Sequence, residues 1–101
     1  MRMMLSASMA VESFNRAVLD GSAATKMMKI LQALKPEAAY FVARNGERTA
    51  ILIVDVPDAS QVPSIVEPFM LTFNAKVELQ PVMVAQDLQQ AGFDEIGKAW
   101  G

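Results

Sequence analysis

The sequence predicts an α+β domain of order β-α-β-β-α-β, a split βαβ with a four-stranded antiparallel sheet and helices on one face. Three observations carry this. Apolar spacing switches between period two and period 3.6 along the chain, Asn45-Gly46 marks a tight hairpin, and 101 residues that are 52% hydrophobic suffice for one core. No repeat, linker or low-complexity stretch divides the chain, so residues 1–101 are read as a single domain.

The elements follow in order. Met1–Met9 alternates as a first strand, and from Val11 the period becomes helical, with Val11, Phe14 and Val18 on one face. Asp20-Gly21 breaks this first helix, because Gly relieves the left-handed conformation at a helix end. Ser22 is placed to cap a second segment whose apolar face is Met27, Ile30, Leu31 and Leu34, and Pro36 closes it. Asn-Gly favours a two-residue turn with positive φ at both positions. It joins AAYFVAR to ERTAILIVDV and sets Arg44 opposite Glu47, Val42 opposite Thr49 and Tyr40 opposite Ile51. After Pro57-Asp58, Ser60 is placed to cap a helix with the stripe Val62, Ile65, Val66, Phe69 and Phe73. Pro68 should kink or split that helix, and Asn74 should end it. Ala75–Gln80 alternates as the last strand, stopped by Pro81. A helical tail follows from Gln86, broken at Gly92, and its Leu88, Phe93, Ile96 and Trp100 are expected to dock rather than fray.

This order is the ferredoxin-like pattern, and right-handed crossovers put the first and third strands at the sheet centre. The hairpin register assigns Ala39, Phe41, Ala43, Ala50, Leu52 and Val54 to the helix-covered core. The open face receives Tyr40, Val42, Arg44, Thr49, Ile51, Ile53 and Asp55. The last strand adds Lys76, Glu78 and Gln80 to the open face, and the first adds Met4, Ser6 and Ser8. A sheet facing water normally alternates apolar with polar, yet Ala50–Val54 (AILIV) is apolar on both sides. Left in water, Ile51, Ile53, Val42 and Met4 would form a contiguous apolar patch. A second copy of the same sheet is the simplest cover, which predicts a two-fold homodimer.

The stretches KPEAAYF (Lys35–Phe41), RTAILIVDV (Arg48–Val56), SQVPSIVEPF (Ser60–Phe69) and NAKVELQPVM (Asn74–Met83) resemble a small bacterial family of the dimeric α/β-barrel superfamily. The resemblance covers nearly the whole chain. It implies the fold and the dimer, but no catalytic motif carries over to positions here. Relatives in that superfamily include cofactor-free monooxygenases, isomerases and haem enzymes, so the fold alone selects no activity.

Composition narrows the chemistry. The chain has no Cys and no His, which removes disulfides, thiolate chemistry, the usual haem ligand and the commonest general base and metal ligand. A net charge of −2 offers phosphates no cationic surface. The third strand lacks the aromatic platform and basic stripe of an RNA-binding sheet, so nucleic acid is not an expected partner. Asp55 and Asp58 are split by Pro57, and Glu67, Asp87, Asp94 and Glu95 read as solvated helix faces, so neither a metal nor another cofactor is expected. Ser6 and Ser8 interrupt the N-terminal apolar run, and no stretch approaches the roughly 20 apolar residues of a membrane span. Neither a signal sequence nor a membrane is therefore expected, and the location expected is the cytoplasm.

The candidate ligand-binding residues are Ser6, Tyr40, Arg44 and Glu78. Glu78 is the best acid–base candidate, because the apolar neighbours of the open face suit a carboxylate to proton transfer. The plainer alternative is an ion pair with Lys76, Arg44 or a partner's cation. Tyr40 offers a hydroxyl to a ligand or a ring to an interface. Asn15 could reach a ligand from the first helix or stay solvated. The eight Met residues suit an adaptable surface, a dimer seam or gaps in the core. Three readings follow: a homodimer binding a small, partly apolar molecule on the open face; a cofactor-free enzyme using Glu78 with Tyr40 or Ser6 on a small organic substrate; and a structural dimer without a cavity.

Overall fold

Strands β1 (Arg2–Ser8), β2 (Ala38–Arg44), β3 (Glu47–Asp55) and β4 (Lys76–Pro81) form one antiparallel sheet in the spatial order β2-β3-β1-β4. The computed structural model describes Met1–Gly101. Helices α1 (Val11–Leu19) and α2 (Ala23–Leu34) connect β1 to β2. A 3-10 turn (Ala59–Gln61) and α3 (Val62–Phe73) connect β3 to β4, and α4 (Ala85–Gln89) and α5 (Phe93–Trp100) follow. This is the ferredoxin-like arrangement, with its first helix broken and a helical tail. No helix is long and apolar enough to cross a membrane.

The Asn45-Gly46 turn adopts φ of 53° and 75°, as its sequence requires, and pairs Arg44 with Glu47, Val42 with Thr49 and Tyr40 with Ile51. With this register fixed, Ala50, Leu52 and Val54 face the helices together with Leu5 and Ala7 of β1. They meet Ala17 of α1, Ile30 of α2, and Ile65, Phe69 and Phe73 of α3 in one buried cluster. Burial of these apolar groups is the main favourable term in folding. Phe73 also stacks on Phe14, with ring centroids 4.9 Å apart, which ties α1 to α3.

Several local expectations are corrected. Pro68 lies inside α3 without splitting it, because Ile65, Phe69 and Phe73 pin both halves of the helix to the sheet. Ser22 stands at the N-cap position of α2 but its side chain makes no capping bond, and Ser60 lies within the 3-10 turn and caps no helix. Each instead donates its hydroxyl to an aspartate two residues earlier, Ser22 to Asp20 and Ser60 to Asp58 (2.6 Å). These hydroxyl bonds come first among the causes that hold both carboxyls below the usual aspartate range. In α1 only Ala17 is buried, while Val11 and Val18 stay exposed.

Two larger corrections concern coverage. Ala39, Phe41 and Ala43 point to the helix side as expected but do not join the core, and Phe41 remains 53% exposed. The helix layer packs over β1, β3 and β4 and stops short of the edge strand β2. The tail does not dock on its own chain either. Every residue from Met83 to Gly101 is exposed, Trp100 at 88%, and the chain extends 59 Å along its long axis against 27 and 20 Å across.

Phe69 is fully buried at the centre of the helix–sheet contact, whereas Leu71 on the same helix is 80% exposed. Phe69→Ala is expected to cost about 3–5 kcal/mol in urea unfolding through the cavity it leaves. Leu71→Ala should change stability by less than about 0.5 kcal/mol.

Candidate functional site

The open face of the sheet is ordered in rows that run across all four strands. Val42, Thr49, Ser8 and Lys76 form one row, Tyr40, Ile51, Ser6 and Glu78 the next, and Ala38, Ile53, Met4 and Gln80 the third. Arg44 and Glu47 sit beyond the first row at the hairpin tip. Unpaired polar groups therefore gather at the hairpin end of the face and apolar groups fill its middle, while Arg2 and Asp55, each held in an ion pair, close its far end. Ile51, Ile53 and Met4 are only half-buried in a single chain and alternate with the residues that the helices cover.

At the polar end, Ser6, Ser8, Arg44, Asn45, Glu47, Lys76 and Glu78 line a depression of about 360 Å³. Two cations, two carboxylates and two hydroxyls converge there. The ion pairs of the chain join the Met1 ammonium to Asp55, Arg2 to Glu37 and Lys98 to Glu95, so none involves these residues. The Arg2–Glu37 contact, at 2.7 Å, raises the affinity of the Arg2 guanidinium for its proton. Ser8 and Thr49 hydroxyls lie 3.4 Å apart, and Thr49 donates to the Glu47 carbonyl at 3.2 Å, which fixes that side of the depression. Arg44, Lys76 and Glu78 keep their charged ends unpaired within the chain.

The structure brings together three of the four residues singled out from sequence: Ser6, Arg44 and Glu78. Glu78 stands directly across from Ser6 in the β1–β4 ladder and is exposed in the single chain. The expected Glu78–Lys76 or Glu78–Arg44 ion pair is not made. Tyr40 shares the row of Glu78 but lies on the opposite edge strand, three strand spacings or roughly 14 Å away. Asn15 takes no part; its side-chain oxygen accepts a hydrogen bond from Arg48 at 3.0 Å. Ser8 and Lys76 were not singled out, although the alternation that selected Ser6 and Glu78 also selects them two positions along each strand. No group of three acidic side chains is close enough to hold a metal ion.

A second concavity lies on the other side of the sheet. It measures about 520 Å³ and opens between α1, α2 and the uncovered edge strand β2, lined by Met9, Phe14, Met27, Phe41 and Ala43. Arg48 is its one charged residue and lies 4.8 Å from the centre of the Phe14 ring. Sequence reasoning missed this groove because it placed Phe41 beneath the helices.

The fold and the polar depression together define a ferredoxin-like protein with an open, mixed-polarity sheet face. No known protein-family profile matches the sequence, and no curated protein matches it either. Among solved structures, the chain is similar to 5-chloro-2-hydroxyhydroquinone dehydrochlorinase (TftG) from Burkholderia phenoliruptrix AC1100, a structure in complex with 2,5-dihydroxybenzoquinone. The TM-score is 0.62 at 16% identity, over 86% of this chain and 98% of that one. At this identity the likeness is one of fold, and it carries the resemblance drawn from the sequence stretches no further than that.

Proposed function

We propose that two copies of this chain pair through their open sheet faces and that the polar end of the paired face binds a small, partly apolar organic molecule bearing several oxygens. The observation that carries this reading is the segregation of the face itself. An apolar field around Ile51 and Ile53 suits a second sheet, while the adjoining Ser6, Arg44, Lys76 and Glu78 are polar and unpaired. Charged groups enclosed at an interface need partners, and a ligand with oxygen donors and acceptors would supply them. Binding sites of this kind place a few oriented polar groups against largely apolar walls.

A two-fold axis running along the strand direction would lay β4 of one sheet over β2 of the other and preserve the rows. Glu78 would then face Tyr40 of the partner subunit across the gap of about 10 Å between packed sheets. This accounts for a candidate pair that a single chain holds far apart. A second reading, a cofactor-free enzyme of monooxygenase or isomerase type, rests on Glu78 standing opposite the Ser6 hydroxyl. There a carboxylate could accept a proton from a bound substrate. The third, a purely structural dimer, leaves unexplained why cations and carboxylates converge without pairing.

Ile53→Asp should yield monomeric, aggregated or unfolded protein in light scattering, because a carboxylate held among apolar side chains costs several kcal/mol. Leu19→Asp, at a site 86% exposed at the end of α1, should leave the assembly unchanged. A native-like Ile53→Asp dimer would remove sheet pairing. For the ligand, calorimetric titration with hydroxylated aromatics and quinones, 2,5-dihydroxybenzoquinone among them, is expected to show binding. Arg44→Ala should weaken it about tenfold or more, since a charge-assisted hydrogen bond contributes about 1.5–3 kcal/mol. No binding across the series, or equal binding by Arg44→Ala, would contradict the proposed site.

A further inference from the structure

The C-terminal arm and the groove beside β2 are each incomplete, and each has what the other lacks. In α5, Phe93, Ile96, Gly97 and Trp100 fall within an arc of about 100° at 3.6 residues per turn, with Asp94, Glu95 and Lys98 opposite. This apolar stripe is left exposed by its own chain: Phe93 is 61% exposed, Ile96 46% and Trp100 88%. Propensity alone rarely holds an eight-residue helix together in water, and such a helix ordinarily depends on packing its apolar face. The groove, for its part, leaves Phe41 half exposed on an edge strand that no helix covers.

We infer that the arm of one subunit docks into the groove beside β2 of the other, so that the C-terminal helices are exchanged between two copies of the chain. This goes beyond the open-face pairing proposed above but rests on the second copy that it supplies. The geometry favours exchange. With the two-fold axis along the strands, β4 of one subunit lies at the β2 edge of its partner, and the arm leaves β4 at Pro81, beside the Ala38 end of that edge. From there α4 and α5, about 7.5 and 12 Å long, can pass around the edge to the helix side, where the groove opens. The charges agree as well. Arg48, the only charged residue of the groove, has no carboxylate partner in its own chain, and Asp94 in the first turn of α5 has no cation. Burying Phe93 and Trp100 would remove roughly 300–500 Å² from water, a large part of the ~800 Å² per partner of a typical specific interface. Gly97, with open space around its α-carbon, lets the helix approach the edge strand closely.

Two features of the sequence make the test direct: Trp100 is the only Trp, and there is no Cys. At concentrations where the protein is dimeric, Trp100 fluorescence is expected to be blue-shifted and poorly quenched by acrylamide, and to shift to free-indole behaviour on dilution to monomer. Phe41→Asp should cause the same loss of protection. Mixing Ala43→Cys protein with Gly97→Cys protein under oxidising conditions should give a disulfide-linked heterodimer on a denaturing gel. Three results would overturn the inference: a freely quenched Trp100 in a stable dimer, protection that persists in the monomer because the arm folds back on its own chain, or a wild-type protein that never dimerises. A stable dimer in which Trp100 protection is unchanged by Phe41→Asp, and in which the two Cys proteins form no cross-link, would sink arm exchange and leave open-face pairing intact. Protection and cross-linking retained in Ile53→Asp would do the reverse.

Discussion

A four-stranded sheet has two faces, and this chain provides helices for only one. β3 makes that a physical problem, because Ala50, Leu52 and Val54 are buried beneath the helices while Ile51 and Ile53 project into the opposite face. An alternating strand would have resolved it with polar residues at the outward positions. Here the outward positions are branched aliphatics at the sheet centre, flanked by Met4. The rest of the molecule follows from this two-sided strand: the core on one side, and on the other a surface whose apolar part needs a cover and whose polar end offers a site.

The placement of charge supports the same view. Unpaired charged side chains cluster around the hairpin tip and the adjacent ends of β1 and β4, the third row around Ile53 and Met4 is apolar except for Gln80 at the edge, and Arg2 and Asp55 beyond it are held in ion pairs. Surface ion pairs contribute little to stability, so the chain loses little by leaving Arg44, Lys76 and Glu78 unpaired in water. The same groups would be costly once a second sheet excluded solvent. That cost is what makes a bound, oxygen-bearing molecule a sensible occupant, and it explains why the site would depend on assembly.

The central layout was legible in the sequence because one short signal fixed so much of it. Asn45-Gly46 set the β2–β3 register, and the period of two then assigned every residue of β3 to a face. Ser6, Arg44 and Glu78 could be placed near one another on that basis, since alternation and strand order both constrain them. Coverage was not legible. Alternation reports which side Phe41 points to, but the width of the helix layer decides whether anything lies over it. The tail failed for a related reason: the spacing of Phe93, Ile96 and Trp100 reveals an apolar face without naming the surface it meets. Ser22 and Ser60 have the composition of helix caps, yet the nearby Asp20 and Asp58 are stronger acceptors for their hydroxyls, and this competition is invisible to position-by-position reading.

The claim on which the site depends is that the open face is covered by a second copy of the chain. The molar mass of the wild-type protein at micromolar concentration, measured by light scattering coupled to gel filtration, tests it most directly. The account predicts a mass twice that of the 11.0 kDa chain. A single-chain mass for protein with intact secondary structure in circular dichroism would contradict it, since Ile51 and Ile53 would then remain stably exposed to water.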